Sequence, residues 1–376
     1  MSKPIRVLHV FHGMDCGGAE NMIMNLYRNI DRSKVQFDFL VHTKKKCFFD
    51  DEIKNLGGRI FFVPYYNIKN TVAYKKALRH LYESHPEIKI VHGHLGSCAH
   101  IYLNIAKEHG CYTIAHSHNT LPTDRSIKNV LYRLFTLRTR KVADYFFACG
   151  KQAGLDRFGE KIVSSDRFQV LNNAIDTQKY IYNPEIRQKM RAELGLEEAF
   201  VVGHIGRFNY QKNHEFLIDI FDAVLKKEPK ARLLLVGDGN LRPEIENKIS
   251  RLGIKDKVIM TGIRKDVPDL LQAMDCFVFP SHYEGLGIVA VEAQAAGVPT
   301  LCSDAVPDEV DLTDLVKRIP LSAPVEEWCN AILEYNNGYE RRDTQQEVID
   351  GRYDIHQTAN WLERFYIKVC EKCLHV

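Results

Sequence analysis

The chain has 376 residues, is 45% hydrophobic and 26% charged, and carries a formal net charge of +3. That balance excludes a disordered, collagen-like or disulfide-stapled chain, and no apolar run reaches the roughly 18 residues of a membrane span. The opening MSKPIRVLHVF lacks the long apolar stretch of a signal peptide, so a cytoplasmic protein of roughly two or three domains with mostly reduced cysteines is expected.

In chain order, IRVLHVF (5–11) reads as a strand, GMDCGG (13–18) as a glycine loop and AENMIMNLYRNI as a helix. Strands FDFLVH, RIFFVP, IKIVHGH, YTIAHSH and DYFFACG follow, with helices near 50–57, 70–84, 98–109 and 126–141. Short apolar runs separated by helices are the pattern of buried parallel strands in a doubly wound α/β sheet. A second series repeats it: FVVGHIG, HEFLIDIFDAVLKK, ARLLLVG, KVIMTG, VPDLLQAM, CFVFPS, IVAVEAQAAG and PTLCSD. Two such domains are expected, with the crossing near QVLNNAID (169–176). The amphipathic segment 358–373 could close the second domain or return to the first.

Charge is uneven. Residues 1–172 hold 26 Lys+Arg against 15 Asp+Glu, while the rest hold 25 against 33. A basic half suits an anionic partner. Within it, RSIKNVLYRLFTLRTRK (125–141) reads as a basic amphipathic helix, and Lys44, Lys45 and Lys46 add a cluster; an anionic membrane surface and a solvated edge are equal readings of both.

In such sheets ligands bind beyond the carboxyl ends of the strands. SHYEGLGIVAVEAQAAG (281–297) follows one of them. Glu284 falls in the turn, Gly285 and Gly287 let the backbone approach a ligand, and Glu292 lies inside the helix that follows. Paired carboxylates accept hydroxyl hydrogen bonds, as a sugar or ribose requires. GRFNYQKNH (206–214) places Arg207 and Lys212 after another strand, where fixed cations can neutralise a leaving diphosphate without a metal. The loop 13–18 meets neither the dinucleotide nor the P-loop pattern, but the amides of Gly17 and Gly18 could face a phosphate. His92, His94, His116 and His118 form two His-x-His pairs at strand ends. Without a cysteine or carboxylate at ligand spacing, a polar contact from His116 to substrate is preferred to a metal site. CEKC (370–373) reads as two thiols on a helix.

The segments HGMDCGGAE, AHSHN, NNAID, GRFNYQKN, LVGDG and PSHYEGLGIVAVEAQAAGVP resemble the retaining glycosyltransferases of family 4, which have the GT-B fold of two Rossmann-like domains facing across a cleft. Within that family the chain is most similar to bacterial enzymes of capsule and exopolysaccharide assembly. The resemblance implies an acceptor-side domain of residues 1–172 plus 356–376, and a nucleotide-sugar domain of 173–355. It implies that Glu284 binds the donor sugar beside Gly285, Leu286 and Gly287. Glu292 would bind the ribose, Arg207 and Lys212 the diphosphate, and Ile263 and Arg264 would flank the base. His116 would contact the sugar, with Gly17 and Gly18 near the phosphate. Two departures stand out: NNAID replaces the common PNGVD, and Asn213 stands where glycine often follows the lysine.

The expected reaction is transfer of a hexose or N-acetylhexosamine from a UDP-linked donor, with retention, to a lipid-linked saccharide. No metal cofactor and no nucleic acid are expected, and peripheral contact with the inner face of the cytoplasmic membrane would suit the acceptor. The alternatives are a nucleotide-sugar epimerase of the same architecture and a non-catalytic nucleotide- or nucleic-acid-binding module.

Overall fold

The computed structural model describes residues 3–118 and 137–374. Contacts divide the chain into two compact units, Met1–Ala174 with Ile355–Val376, and Ile175–Asp354. In the first, seven strands run β1 (Ile5–Val10), β2 (Val35–Val41), β3 (Ile60–Phe62), β4 (Ile88–Gly93), β5 (Tyr112–Ser117), β6 (Tyr145–Ala148) and β7 (Phe168–Val170). In the second they are β8 (Phe200–Ile205), β9 (Ala231–Val236), β10 (Val258–Met260), β11 (Cys276–Phe279), β12 (Thr300–Ser303) and β13 (Val316–Ile319).

The first sheet has the order β3-β2-β1-β4-β5-β6-β7, the second β10-β9-β8-β11-β12-β13. Every pairing within both sheets is parallel. Strands buried on both faces need continuous apolar runs, and each sheet accordingly has an apolar cluster on either side. Asp38 breaks the run in β2. It is buried, and Arg6 and Arg59 clamp it, Arg59 Nη2 donating to Oδ2 at 2.6 Å and the Arg59 amide to Oδ1 at 2.9 Å.

The helix Ile355–Leu374 belongs to the first unit. Ala359, Leu362, Tyr366 and Val369, spaced at helical intervals, join the cluster built on Val7, Phe37 and Ile114. Lys34 Nζ reaches Glu363 at 3.1 Å on the same helix. Residues 119–136, which carry most of the expected basic helix, lie outside the described residues; 137–142 are helical. The nine described cysteines are free thiols, eight of them buried. Among the described residues no helix is long and apolar enough to cross a membrane.

Candidate active site

In the second unit the chain winds from β8 outward to β10 on one side and from β11 outward to β13 on the other. The reversal between β8 and β11 is the switch point at which open α/β sheets bind ligands, beyond the carboxyl ends of the strands. Both carboxylate and cation motifs follow these two strands.

After β8, Gly206 leaves room for the next turn: a Cβ there would come within 3.1 Å of the Lys212 Cγ and Cδ atoms. The Asn209 side chain accepts from the Lys212 amide at 3.3 Å and so caps the short turn Tyr210–Lys212. Asn213 then adopts φ 54°, ψ 45°. This left-handed conformation is free for glycine and, after glycine, easiest for asparagine. The replacement of the usual glycine thus keeps the turn, and it is followed directly by the helix His214–Lys227.

The turn folds Lys212 back over the sheet. Its Nζ lies 2.7 Å from Oε1 of Glu284 and 4.5 Å above the centre of the Phe279 ring. Gln211 donates to the other carboxylate oxygen, Oε2, at 3.0 Å. A backbone bond from the His282 amide to the Gln211 carbonyl, 2.8 Å, ties the two loops together. The Lys212 and Glu284 side chains are 15% and 6% exposed. A pair this enclosed interacts more strongly than one on the surface.

Gly287, at φ 86°, starts the helix Ile288–Ala295. Glu292 sits on its second turn and accepts from the Tyr180 hydroxyl at 2.9 Å. Burial pushes the Glu292 carboxyl up to about 7, against the opposing pull of Tyr180 and Lys212. Arg207 is exposed, and among the described residues it forms no ion pair. Gly285 is exposed, and Leu286 packs against the core beneath. After β10, Gly262 takes φ 71° and its carbonyl accepts from the Gly237 amide at 2.9 Å. Ile263 projects outward, 83% exposed, while Arg264 is turned to Asp266, Nε to Oδ1 at 2.8 Å. Gly237 must be glycine: a Cβ there would fall 2.1 Å from the Gly206 carbonyl oxygen.

One enclosed cation–carboxylate pair and a second carboxylate raised toward neutrality thus gather on adjacent strand ends, and the exposed Arg207 lies on the same loop as Lys212. Lys212 Nζ has protons to spare beyond the one given to Glu284, and each Glu284 oxygen keeps acceptor capacity. Such a site can take an anion on its cations and hydroxyl groups on its carboxylates.

The first unit has the same kind of switch point, between β1 and β4. Gly17 caps the helix Gly18–Asn29, but its amide is already donated to the Asp15 carbonyl at 3.0 Å, and a Cβ on it would meet the Glu20 carboxylate at 2.3 Å. The Gly17 amide is thus engaged within its own turn. Gly18 has open space around its Cα. His116 is buried, and its Nδ1 lies 3.2 Å from Nε2 of His92. Its imidazole, like those of His92 and His94, is held well below the ordinary histidine value by burial, and is neutral.

Tyr180, Gln211 and His9 escaped the sequence reading. Tyr180 and Gln211 carry no motif of their own. His9 lies on β1, more than eighty residues from the His-x-His pairs it joins.

Residues 16–179 match the family described as Glycosyltransferase Family 4, and residues 186–315 that described as Glycosyl transferases group 1. “Putative glycosyltransferase EpsF” of Bacillus subtilis (strain 168) is 36% identical over 380 residues, covering 99% of this chain and 98% of that protein. The Escherichia coli protein named UDP-Gal:alpha-D-GlcNAc-diphosphoundecaprenol alpha-1,3-galactosyltransferase is 30% identical over 152 residues, 39% of this chain and 38% of its own. Among solved structures, Anabaena HepE in complex with UDP superimposes with a TM-score of 0.78 at 19% identity, covering 96% of this chain and 100% of that one. That likeness makes the fold GT-B, the class expected from the sequence.

Proposed function

The chain belongs to the family 4 glycosyltransferases, and from that premise we propose that it transfers a hexose or N-acetylhexosamine from a UDP-linked donor, with retention, to a lipid-linked saccharide in the synthesis of a surface polysaccharide. The observation that carries the donor half of this reading is the Lys212–Glu284 pair, set at the switch point on the loop that also carries the exposed Arg207. A departing nucleoside diphosphate gains negative charge, and cations already in place stabilise it without reorganising. Lys212 and Arg207 are those cations, so a divalent ion is not required at the diphosphate. Glu284 accepts hydrogen bonds from sugar hydroxyls, and Glu292, once ionised, from the ribose. The base lies against the exposed backbone and side chain of Ile263, with Arg264 held aside by Asp266. Gly285, Leu286 and Gly287 bring the backbone close to the sugar.

Retention follows from a same-face displacement in which the leaving diphosphate takes the proton of the acceptor hydroxyl. The acceptor bond forms as the bond to the diphosphate breaks. UDP as the nucleotide is supported by the ligand of the HepE structure, and a diphosphate-linked lipid acceptor by the name of the Escherichia coli relative. The basic first 172 residues, with 26 Lys+Arg against 15 Asp+Glu, suit such an acceptor and the anionic membrane that carries it.

The test is a thermal-shift screen against UDP- and GDP-linked sugars, followed by product analysis with lipid-diphosphate saccharides. The reading expects stabilisation by one UDP-sugar and an α-linked product. Stabilisation by GDP-sugars alone, a β-linked product, or epimerised donor without transfer would each overturn it.

A further inference from the structure

Five imidazoles line one face of three neighbouring strands in the first unit: His9 on β1, His92 and His94 on and just after β4, and His116 and His118 on and just after β5. The register sets His9 beside His92 and, one step past the β4–β5 ladder, His94 beside His116. Alternate residues of a strand share a face, so each His-x-His pair adds two rings to one layer.

Hydrogen bonds join the rings in two chains. One runs from the Tyr366 hydroxyl to His92 Nδ1 at 2.7 Å and from His92 Nε2 to His116 Nδ1 at 3.2 Å. The other runs from His9 Nδ1 to His94 Nε2 at 3.0 Å and from His94 Nδ1 to His118 Nε2 at 2.7 Å. Each chain ends on a buried nitrogen that has no partner among the described residues, Nε2 of His116 and Nε2 of His9. Whichever tautomers are drawn, a lone pair or an N–H remains unsatisfied at those two atoms.

We propose that His94, His116 and His118 form a binding site for a divalent transition-metal ion of the zinc type. One ring nitrogen from each lies within 4.8 Å of the other two. The donor atoms follow from the bonds already made. His116 Nδ1 is committed to His92, which leaves Nε2. His94 Nε2 is committed to His9, which leaves Nδ1, already next to His118 Nε2. Ligands at about 2.0 Å in a tetrahedron stand about 3.3 Å apart, so the His94–His118 contact has only to open slightly. His9 and His92 then act as the outer groups that fix the ligand rings, the arrangement metal-binding histidines ordinarily have. His94 and His118 are partly exposed, which gives the ion an entry path and leaves the fourth position to water. An all-imidazole set without carboxylates selects zinc, cobalt, nickel or copper over magnesium and calcium. From the sequence a contact from His116 to substrate is preferred because no cysteine or carboxylate stands at ligand spacing; in the proposed site His116 Nε2 instead goes to the ion, with imidazoles alone completing the set. The sheet supplies the missing order by placing the pairs side by side and His9 behind them.

The test is titration of the metal-free chain with Co²⁺, read by visible absorption, and with Zn²⁺, read by calorimetry. The site predicts one ion per chain, the intense visible bands of tetrahedral Co²⁺, and no thiolate-to-cobalt charge transfer. His118→Ala, at the end of its strand, should weaken binding by about tenfold or more. His9→Phe should weaken it by about 10- to 100-fold and alter the cobalt spectrum, since it removes only an outer group. Melting curves establish that each variant is folded, and a His94→Gln variant replaces either one that is not. No binding by the wild type, thiolate charge transfer from CEKC, or affinity unchanged in the folded variants would each overturn the proposal.

Discussion

Lys212 Nζ and Glu284 Oε1, 2.7 Å apart, join the loop after β8 to the loop after β11, the two strands between which the second sheet changes direction. Neither charge is there for the stability of a surface. The pair is enclosed, the Phe279 ring lies beneath the ammonium, and Gln211 holds the second carboxylate oxygen. Glu284→Gln keeps the shape and loses the charge, and Lys212→Ala removes the cation while stranding Glu284. Each is expected to lower kcat/KM by roughly a hundredfold or more, measured by transfer from the donor that the thermal-shift screen selects. Turnover at wild-type level in both would remove the site from the reaction.

The proposed ribose contact of Glu292 carries a pH dependence. Its carboxyl stands near 7, raised by burial from the ordinary 4.5. The folded chain therefore favours the neutral acid. The associated stability is present below 4.5, declines between there and about 7, and changes no further above it. Ribose hydroxyls favour the ionised form, so donor affinity is expected to rise between pH 6 and pH 8 with release of a proton. Calorimetry in buffers of different ionisation enthalpy measures that proton. Tyr180→Phe removes the hydroxyl that opposes the shift and should move the rise to higher pH. A flat profile in the wild type would contradict this role for Glu292.

Asp38 tests the frame of the first unit. Its burial disfavours the charge, but hydrogen bonds from Arg6 and Arg59 outweigh that and hold the carboxyl below the usual carboxylate range. Such a group stabilises the fold at neutral pH, and that stability is lost as pH falls through its lowered value. Asp38→Ala leaves two guanidinium groups facing an emptied buried site and should cost about 3 kcal/mol or more in denaturant unfolding at pH 7. The difference from wild type should shrink in acid.

Exhaustive EDTA treatment is expected to leave transfer largely intact, because on the proposed reading Arg207 and Lys212 take the charge of the diphosphate. The same treatment should strip any ion from the His94, His116 and His118 site. Loss of transfer that only Mg²⁺ or Mn²⁺ restores would contradict the first expectation and leave the second unaffected.

Much of this architecture was legible before folding. Apolar runs buried on both faces read as parallel strands, and the helix His214–Lys227 appears in the structure with the limits its pattern suggested. The strands that escaped are the short edge ones. In β7, FQV, and β13, VKRI, polar residues interrupt an already brief run, and such segments are strands only because a neighbour pairs with them. The last helix begins at Ile355, three residues before its expected start, since its first turn carries no strong apolar signal. In the site, charged residues following strand ends could be read from spacing. The Tyr180 hydroxyl on Glu292 and the ring of His9 beside His92 and His94 could not, because both pairings are made by tertiary packing between distant segments.

The most direct test of the central claim is calorimetric titration with UDP of the wild type and of Arg207→Ala and Lys212→Ala. If these cations carry the diphosphate, the wild type binds UDP and each variant, shown by its melting curve to be folded at the temperature of the titration, loses about tenfold or more in affinity. Undiminished UDP affinity in both folded variants would contradict the account.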